Sequence, residues 1–253
     1  MFEKMIDIHS HTLWGIDDGS ESLEESIDLC FDAEETGTGT LFLTPHLMYW
    51  ERAEALLDRR DEKTAALQEI LSQEGSSICL KKGFEVFCDD DIFNVKYFKP
   101  YTLADSRYIL IEFDFFRSTE DDVSSWCRYL KSFGLVPIIA HPERYGFVKT
   151  DISCIERLSG LGVLFQINAG SPAGMFGLAE ENVSCALLNS GYVDFFGSDA
   201  HNIYGRNTDM AVCIEDYPEY IDLNAVKKAA VDNPAYILED KLYVPERYGE
   251  LFY

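Results

Sequence analysis

Short apolar runs alternate with longer amphipathic stretches along the chain, and this alternation predicts its secondary structure. Each apolar run lacks the strict hydrophobic–polar alternation of a half-exposed strand, which is typical of parallel strands buried on both faces. The predicted strands are residues 5–9, 38–43, 77–80, 108–113, 136–140, 163–168 and 193–197.

The stretches between these strands have helical periodicity. Ser22 followed by Glu25 is a capping-box pattern that predicts a helix ending near residue 35. The other predicted helices are residues 52–73, 120–133, 152–159, 179–189 and 224–231. Seven β-runs alternating with helices predict an α/β protein with a parallel (β/α)7-type barrel.

Length and hydropathy agree with this fold class. The 253 residues fall within the range of one α/β barrel, and a hydrophobic content of 47% supplies a sizeable core. We therefore expect a single domain over residues 1–253. No apolar stretch is long enough to cross a bilayer, which predicts no membrane insertion, and the absence of a secretory signal pattern predicts a cytoplasmic protein.

Acidic residues dominate the charge. Forty-five acidic residues against 21 basic ones give a net charge of −24. Such a chain repels nucleic acids and anionic membranes unless a basic patch or metal cluster overrides its field, and no long Lys/Arg run occurs. The composition therefore argues against a nucleic-acid partner. Most acidic residues are interpreted as a solvated face that maintains solubility.

The seven cysteines are scattered and odd in number, and no Cys-x-x-Cys pair occurs. This pattern argues against a disulfide framework and against a thiolate zinc site, and predicts reduced thiols. No cysteine is followed six positions later by arginine, so the Cys-x5-Arg phosphate loop of cysteine-dependent phosphatases is absent.

All five histidines lie in motifs that also contain carboxylates, and each follows an apolar run. Parallel barrels place their active sites at the carboxyl ends of the strands, so these residues are expected to converge. In extended backbone, side chains two residues apart point to the same side. His9 with His11, and Asp199 with His201, can therefore each offer two ligands to one point. The candidate set is His9, His11, Asp18, His46, Glu85, Glu112, His141, Asp199 and His201.

Five imidazoles and four carboxylates exceed the need of one divalent ion and suit two or three ions. Mixed nitrogen and oxygen ligands favour manganese, iron or zinc over calcium or magnesium. Such clusters activate water and neutralise a phosphoryl group, which would allow so acidic a chain to bind a phosphate. Glu85 and Glu112 are individually the weakest candidates, since a Glu beside a strand is usually solvated.

Seven motif blocks occur in a recognisable order. They are Asp-Ile-His-Ser-His with Gly-Ile-Asp-Asp-Gly-Ser, Thr-Pro-His, Gly-Phe-Glu, Ile-Glu-Phe, Ala-His-Pro-Glu-Arg-Tyr, Gln-Ile-Asn-Ala-Gly-Ser and Ser-Asp-Ala-His. This set resembles the PHP (polymerase and histidinol phosphatase) superfamily. Within it, the set is similar to the bacterial capsule and exopolysaccharide tyrosine phosphatases of the CpsB/YwqE type, from about residue 5 to at least residue 206.

The resemblance implies a distorted barrel, the PHP fold, with a three-metal site formed by the nine residues above and manganese as the first expectation. It implies that Arg144 and Arg206 bind the substrate phosphate, for which a guanidinium fork is suited. The implied substrate is a phosphotyrosine protein, a bacterial tyrosine kinase with a C-terminal tyrosine cluster. The implied reaction is hydrolysis by a metal-activated hydroxide.

Several alternatives stay open. Arg144 and Arg206 also suit surface ion pairs on so acidic a chain, and Asp17 is interpreted as a residue that supports a ligand. Trp14, Tyr49 and Trp50 follow strand ends and are candidates for stacking on a phenyl ring.

Two other functions compete with the phosphotyrosine phosphatase. One is a PHP-type phosphoesterase acting on a small molecule such as histidinol phosphate, and the other is a non-catalytic metal-binding regulator. The sequence leaves open the metal identity, the substrate protein, any general acid and the role of residues 243–253. It also leaves open the oligomeric state, for which the helix at 52–73 is a candidate self-association surface.

Overall fold

Parallel strands and helices alternate along the chain in the computed structural model, which describes residue 2, residues 4–247 and residue 251. The strands within this part are β1 (Met5–Asp7), β2 (Thr38–Leu43), β3 (His46–Leu47), β4 (Cys79–Lys82), β5 (Glu85–Phe87), β6 (Tyr108–Glu112), β7 (Val136–Ala140), β8 (Leu164–Asn168) and β9 (Phe195–Gly197). All seven predicted strands are present, with ends shifted by at most a few residues.

The strands form two parallel sheets in the orders β1-β2-β4 and β3-β5-β6-β7-β8-β9. Only two residues separate β2 from β3, and only Gly83 and Phe84 separate β4 from β5, so the chain passes from the first sheet into the second twice. A parallel bridge between Ser10 and Ala200 connects the segments that follow β1 and β9. The prediction of an α/β fold with parallel strands is confirmed.

Two strands were not predicted, and both are short. β3 has two residues and β5 has three, and each begins with a polar residue, His46 or Glu85. Neither shows the apolar run that predicted the others. Both form by pairing with neighbouring strands. β3 pairs with β5, with His46 opposite Glu85, and β5 pairs in turn with β6.

The helices cover the outside of the sheets. They are α1 (Leu23–Glu35), α2 (Ala53–Gln73), α3 (Glu120–Lys131), α4 (Gly146–Thr150), α5 (Cys154–Gly160), α6 (Leu178–Asn189), α7 (Met210–Glu215), α8 (Leu223–Lys227) and α9 (Ala235–Leu238), with a π-helical turn at Lys228–Asp232 and several single 3-10 turns. None of the described helices combines the length and the apolar character that crossing a membrane requires.

Helix caps explain where two of these helices begin. Ser22 accepts a hydrogen bond from the Glu25 backbone N–H, as the capping-box pattern predicted, although the Glu25 carboxylate accepts from the Glu21 N–H and not from Ser22. Thr119 and Asp122 form a complete capping box at α3. Both caps satisfy backbone donors that the first helical turn leaves free.

Opposite faces of the strands pack into different apolar clusters. In β6, Tyr108 and Leu110 belong to one cluster and Ile109 and Ile111 to another. The first cluster also contains residues of β1, β2, β7, β8 and β9, and so it fills the concave side that the two sheets share. The second underlies helices α3, α5 and α6. The wall of strands is therefore rigid on both sides, which fixes the positions of the strand ends.

An ion pair attaches the chain beyond α9 to the segment just before β9. Arg247 donates to both carboxylate oxygens of Asp194, at 2.8 and 2.9 Å, and Asp194 also accepts from the Phe165 N–H. Burial raises the pKa of Asp194 to about 6, and the Arg247 guanidinium opposes that rise. Part of the segment at 243–253 lies outside the described residues, and within the described part the Tyr243 N–H also donates to the Tyr108 hydroxyl.

Replacing Arg247 by Met should destabilise the protein in a pH-dependent way. A carboxyl group whose pKa is higher in the folded chain than its ordinary 3.8 loses stability as the pH rises through the folded value, here between about pH 4 and 6. Without Arg247 the pKa rises further, so that loss extends to higher pH. We expect a decrease of about 3–5 kcal/mol in the free energy of unfolding at neutral pH, smaller in mildly acidic buffer, measured by denaturant unfolding.

Arg128→Met is the matched control, because Arg128 is exposed on α3 and the variant removes the same charge. An equal, pH-independent loss in both variants would contradict a role for the Asp194–Arg247 pair.

Candidate functional site

Seven of the nine candidate ligands lie at the carboxyl end of a strand or in the loop that follows one, and the other two begin short strands. His46 and Glu85 begin the short strands β3 and β5, and Glu112 ends β6. The others follow β1, β7 and β9. Their ligand atoms fall into four groups in which every atom lies within 4.8 Å of the others: His11, Asp18, His46 and His201; His9, His11 and Asp199; His9, Glu85 and His141; and His46, Glu85 and Glu112. The structure thus brings the predicted set together.

Glu85 lies at the centre of this cluster. Its Oε2 atom is 3.2 Å from the Nε2 atoms of both His9 and His11 and 3.1 Å from His46 Nδ1, while Oε1 is 2.8 Å from His141 Nε2. The carboxylate is fully buried, and Oε2 has no hydrogen-bond donor among the described residues. Burial alone would raise the pKa of Glu85, but His9 and His46 hold it well below the usual range.

The carboxylates have the opposite effect on the imidazoles. Burial lowers the pKa of His11, yet Asp17 and Glu85 outweigh burial and raise it to about 9. Burial likewise opposes the rise at His46, where Glu85 and Glu112 raise the pKa to about 12. These groups attract positive charge into the cluster, and a divalent cation can replace the protons that they would otherwise hold.

The geometry of the donor set fits metal ions. The Nε2 atoms of His9 and His11 approach to 3.1 Å, so two imidazoles direct the same atom at one point. Glu112 Oε1 lies 2.7 Å from His46 Nδ1, and Asp18 Oδ1 lies 3.4 Å from His46 Nε2. Most of these donors are buried, whereas Asp18 is exposed. Imidazole nitrogen and carboxylate oxygen are the donors that manganese, iron and zinc prefer.

Asp199 connects the cluster to the two candidate arginines. Its Oδ1 atom lies 3.6 Å from His9 Nε2 and 3.5 Å from His11 Nε2. Its Oδ2 atom pairs with Arg144 at 3.1 Å and with Arg206. Burial opposes ionisation of Asp199, but His9 and Arg206 hold its pKa well below the usual range. Both arginines therefore lie beside the candidate metal ligands.

Two ligands have backbone conformations that side chains other than glycine rarely adopt. His141 has φ = 34° and Asp199 has φ = 54°. Such left-handed residues cost free energy and persist where the surrounding structure requires them, often at functional sites. His141 directly follows β7, and Asp199 lies two residues after β9. The left-handed backbone turns both side chains into the cluster.

Gly197, at the end of β9, allows the strand ends to approach. A Cβ atom at this position would lie 2.5 Å from His9 Cβ and 3.0 Å from Gln166 Nε2. Any side chain here would therefore separate β1 from β9. Glycine permits the contact between His9 and the segment that contains Asp199.

Residues outside the predicted set hold the ligands in place. Asp17 accepts from His11 Nδ1 at 2.7 Å, the contact expected of a residue that supports a candidate ligand. Gln166 accepts from His9 Nδ1 at 2.8 Å. Asp7 accepts from the backbone N–H groups of His9 and Ser198, which ties β1 to β9. Such partners orient metal-binding imidazoles and tune their basicity.

Sequence reasoning missed Gln166 and Asp7, although each left a signal. Both are polar residues inside otherwise apolar strand runs, where an unpaired polar group would be costly. Asn168, which ends β8, donates to Asp199 Oδ2 at 2.7 Å. Glu143, the neighbour of Arg144 in the sequence, accepts from the Asn168 N–H and from the Ser171 hydroxyl.

Aromatic rings position the two arginines. The Arg144 guanidinium lies 4.5 Å from the centroid of Phe115 and 5.5 Å from that of Phe176, and Arg206 lies 5.8 Å from Phe176. Stacking of this kind restrains guanidinium groups while leaving their N–H donors free at the edge. Both side chains are partly exposed, so they remain accessible from solvent.

A cavity of about 850 Å³ opens beside the cluster. His46, Asp18 and Glu112 contribute to its lining, and Tyr49, Phe115 and Phe116 supply aromatic surface. Of the three aromatic residues considered for stacking, only Tyr49 lines this cavity. Trp50 packs edge-on against Phe98 and Tyr101, and Trp14 lies under the Lys63 ammonium group.

The scattered positions of the cysteines do not bring any two of them into a disulfide. All seven cysteines are free, and five of them are buried. Burial raises the pKa of Cys30, Cys127 and Cys154 to about 12, so these thiols are poor nucleophiles. None of the seven is among the site residues.

Comparison with known proteins identifies relatives along nearly the whole chain. The model of the family described as "Capsular polysaccharide synthesis, CpsB/CapC" matches residues 5–239. Tyrosine-protein phosphatase YwqE of Bacillus subtilis is 32% identical over 211 residues, which cover 80% of each chain. Tyrosine-protein phosphatase CpsB of Streptococcus pneumoniae is 29% identical over 248 residues, covering 94% of this chain and 100% of its relative.

Solved structures give the same relationship. The crystal structures of YwqE from Bacillus subtilis and CpsB from Streptococcus pneumoniae, described as unique metal-dependent tyrosine phosphatases, match with a TM-score of 0.83. This match has 28% identity and covers 98% of this chain and 100% of the other. A phosphotriesterase homology protein from Escherichia coli matches with a TM-score of 0.53 at 10% identity, which is a likeness of fold alone.

Glu85→Gln should weaken metal binding strongly, because it removes the charge that contacts four imidazoles. We expect Mn²⁺ at a hundred times its dissociation constant to raise the unfolding free energy of the unchanged protein by about 2.7 kcal/mol, and to raise that of the variant far less. Thermal unfolding with and without Mn²⁺, together with metal analysis after gel filtration, measures both quantities.

Glu62→Gln is the control, because Glu62 is exposed on α2 and its replacement removes one carboxylate from the acidic surface. Equal stabilisation of both variants by Mn²⁺ would mean that the metal binds the general acidic surface and not the cluster.

Proposed function

The chain belongs to the CpsB/CapC family, and on this premise we propose that it is a metal-dependent protein-tyrosine phosphatase. One observation carries the proposal. Nine imidazole and carboxylate ligands converge at the strand ends, beside two arginines and at the wall of a cavity with aromatic lining. This arrangement joins a place for metal ions, a place for phosphate and a place for a phenyl ring.

We further propose that the cluster binds two or three ions, manganese first, with iron or zinc as alternatives. The residues that would hold them are the nine of the four ligand groups. Metal ions there would supply a water nucleophile of lowered pKa and neutralise charge on the phosphoryl group. Asp17 and Gln166 act by fixing the ring orientations of His11 and His9.

Arg144 and Arg206 bind the phosphate in this proposal. Each already pairs with Asp199, and each retains N–H groups that can donate to phosphate oxygens in a fork. Phe115 and Phe176 keep the guanidinium groups close to the ligands, so little conformational entropy is lost on binding. The alternative role, as surface ion-pair partners only, is disfavoured because their shared carboxylate is buried within the cluster.

The phenyl ring of phosphotyrosine fits the aromatic part of the cavity. Phe115 lines the cavity and also stacks on the Arg144 guanidinium. The place for the phenyl ring is therefore next to the place for the phosphate. In the reaction, water adds to phosphorus, the bond from phosphorus to the phenol oxygen breaks, and the phenolate takes a proton. With a phenol pKa of about 10, the leaving group departs without strong acid assistance.

The biological setting is part of the proposal. The implied substrate is a phosphorylated bacterial tyrosine kinase that controls capsule or exopolysaccharide export, in keeping with the family description. We place the protein in the cytoplasm, where free thiols persist, as all seven do here. Residues 1–253 are proposed to form one domain, a distorted (β/α)7-type barrel of the PHP fold, supported by the Ser10–Ala200 bridge. An oligomer is compatible with the exposed side of α2.

A panel of substrates tests the reaction and its alternatives. With Mn²⁺ bound, we expect phosphate release from a phosphotyrosine peptide and none from a phosphoserine peptide or from histidinol phosphate. A chelator and His201→Ala should each abolish it, because both remove metal ligation. Preference for histidinol phosphate would indicate a small-molecule phosphoesterase. Silence on all three with metals bound would favour the non-catalytic regulator.

Arg206→Gln should lower kcat/KM for the phosphotyrosine peptide about a hundredfold, as expected when one donor to a developing phosphoryl charge is lost. Arg144→Gln should behave similarly, and inorganic phosphate should inhibit both variants more weakly. Arg128→Gln, which removes an exposed arginine far from the cavity lining, serves as the control. Unchanged kinetics in both site variants would mean that the arginines are ion-pair partners only.

A further inference from the structure

One wall of the cavity is formed by the first turns of α2 and carries two arginines. Arg52 precedes the helix and Arg59 lies seven residues later, a spacing that places both on one face. Ala55 and Leu56 lie between them on the same wall. These arginines face the cavity from the side of α2, whereas Arg144 and Arg206 lie beside the candidate ligands.

Neither cavity arginine has a carboxylate partner among the described residues. Arg52 lies 5.7 Å from the centroid of Tyr49, and Arg59 donates to the Gly15 carbonyl at 2.6 Å. By contrast, Arg60 on the same helix pairs with Asp61. On a chain with 45 acidic and 21 basic residues, two arginines that face a cavity without an acidic partner are an unusual arrangement.

Within the described part of the chain, none of the acidic residues that line the cavity forms an ion pair with Arg52 or Arg59. Asp17 pairs with His11, and Asp114 accepts from the backbone N–H groups of Phe116 and Arg117. Asp18 and Glu112 belong to the proposed ligand set. The α2 wall therefore presents positive charge toward whatever enters the cavity.

The cavity is larger than one phosphotyrosine side chain requires. Its volume of about 850 Å³ is near the upper end of sites that enclose drug-sized ligands. Tyr49 and Phe116 are 56% and 90% exposed at its rim, so the lining extends outward as apolar surface. There is room for residues on either side of the phosphotyrosine, and they would pass along the α2 wall.

We propose that Arg52 and Arg59 bind carboxylates that flank the phosphotyrosine, so that the preferred substrate is a phosphotyrosine in an acidic segment. This inference rests on the proposed phosphatase function and adds the class of peptide. It also explains how so acidic a protein accepts such a substrate. At physiological salt, charges more than about 8 Å apart are largely screened, so the nearby arginines outweigh the distant negative surface.

Three phosphotyrosine peptides that differ only in the flanking residues test the proposal. One has Asp and Glu around the phosphotyrosine, one has Asn and Gln, and one has Lys. We expect kcat/KM to be highest for the acidic peptide and lowest for the basic one, with an acidic-to-neutral ratio of about five, the size expected for two exposed charge pairs. The ratio should shrink at high ionic strength.

In Arg52→Gln the acidic-to-neutral ratio should fall by about half or more, and in the Arg52→Gln/Arg59→Gln double variant it should approach one. Arg52→Gln is the more direct test, because Arg59 also contacts the Gly15 carbonyl in the loop that contains Asp18. Arg128→Gln, with the same loss of charge outside the cavity lining, should keep the unchanged ratio. Hydrolysis of p-nitrophenyl phosphate, which has no flanking residues, reports the chemistry separately.

The outcomes distinguish this inference from the function on which it rests. Equal rates on all three peptides, with p-nitrophenyl phosphate hydrolysed, would overturn the flanking-charge proposal and leave the phosphatase function intact. The flanking-charge proposal would also be overturned if Arg52→Gln lowered kcat/KM for all three peptides by the same factor, so that the acidic-to-neutral ratio did not change. No hydrolysis of any substrate by the metal-loaded protein would overturn both.

Discussion

The fold is organised around a buried carboxylate that four imidazoles surround. Glu85 contacts His9, His11, His46 and His141, and these five residues come from four separate parts of the chain. A charge so far from water is costly unless partners of opposite charge accompany it. The fold supplies those partners by ending its parallel strands at one place. The short strands β3 and β5, the close approach at Gly197 and the left-handed backbone at His141 and Asp199 all serve this convergence.

Support for the ligands is distributed in the same way. Asp17, Gln166 and Asp7 contact His11, the His9 ring and the His9 backbone, and each belongs to a different strand or loop. Because the apolar clusters on both sides of the sheet hold the strands, these contacts are preorganised. The free energy that assembles such a cluster is supplied mainly by apolar packing.

The distribution of charge explains how a protein of net charge −24 can act on a phosphate. Most of its acidic residues are solvated, while the basic groups that matter are local. Arg144 and Arg206 share Asp199 beside the ligands, and Arg52 and Arg59 line the wall formed by α2. The electrostatic potential near these arginines is therefore positive, although the net charge of the whole molecule is negative.

The class of fold, the seven apolar strand runs and the identity of the clustered residues could all be predicted from the amino-acid sequence. This was possible because buried parallel strands need apolar runs and because their polar ends carry the motifs. The resemblance to the family added the arginines, for which the residues alone left two roles open.

Tertiary structure alone decided which residues support the ligands and which line the cavity. β3 and β5 are too short and too polar to be detected locally, and they form only by pairing with their neighbours. Gln166 meets His9 across 157 residues of sequence, and Arg52 and Arg59 face the cavity because α2 packs beside it. Of Trp14, Tyr49 and Trp50, only packing could select Tyr49. Local pattern encodes which residues are apolar or polar, whereas contacts between distant segments depend on the packed arrangement of the whole chain.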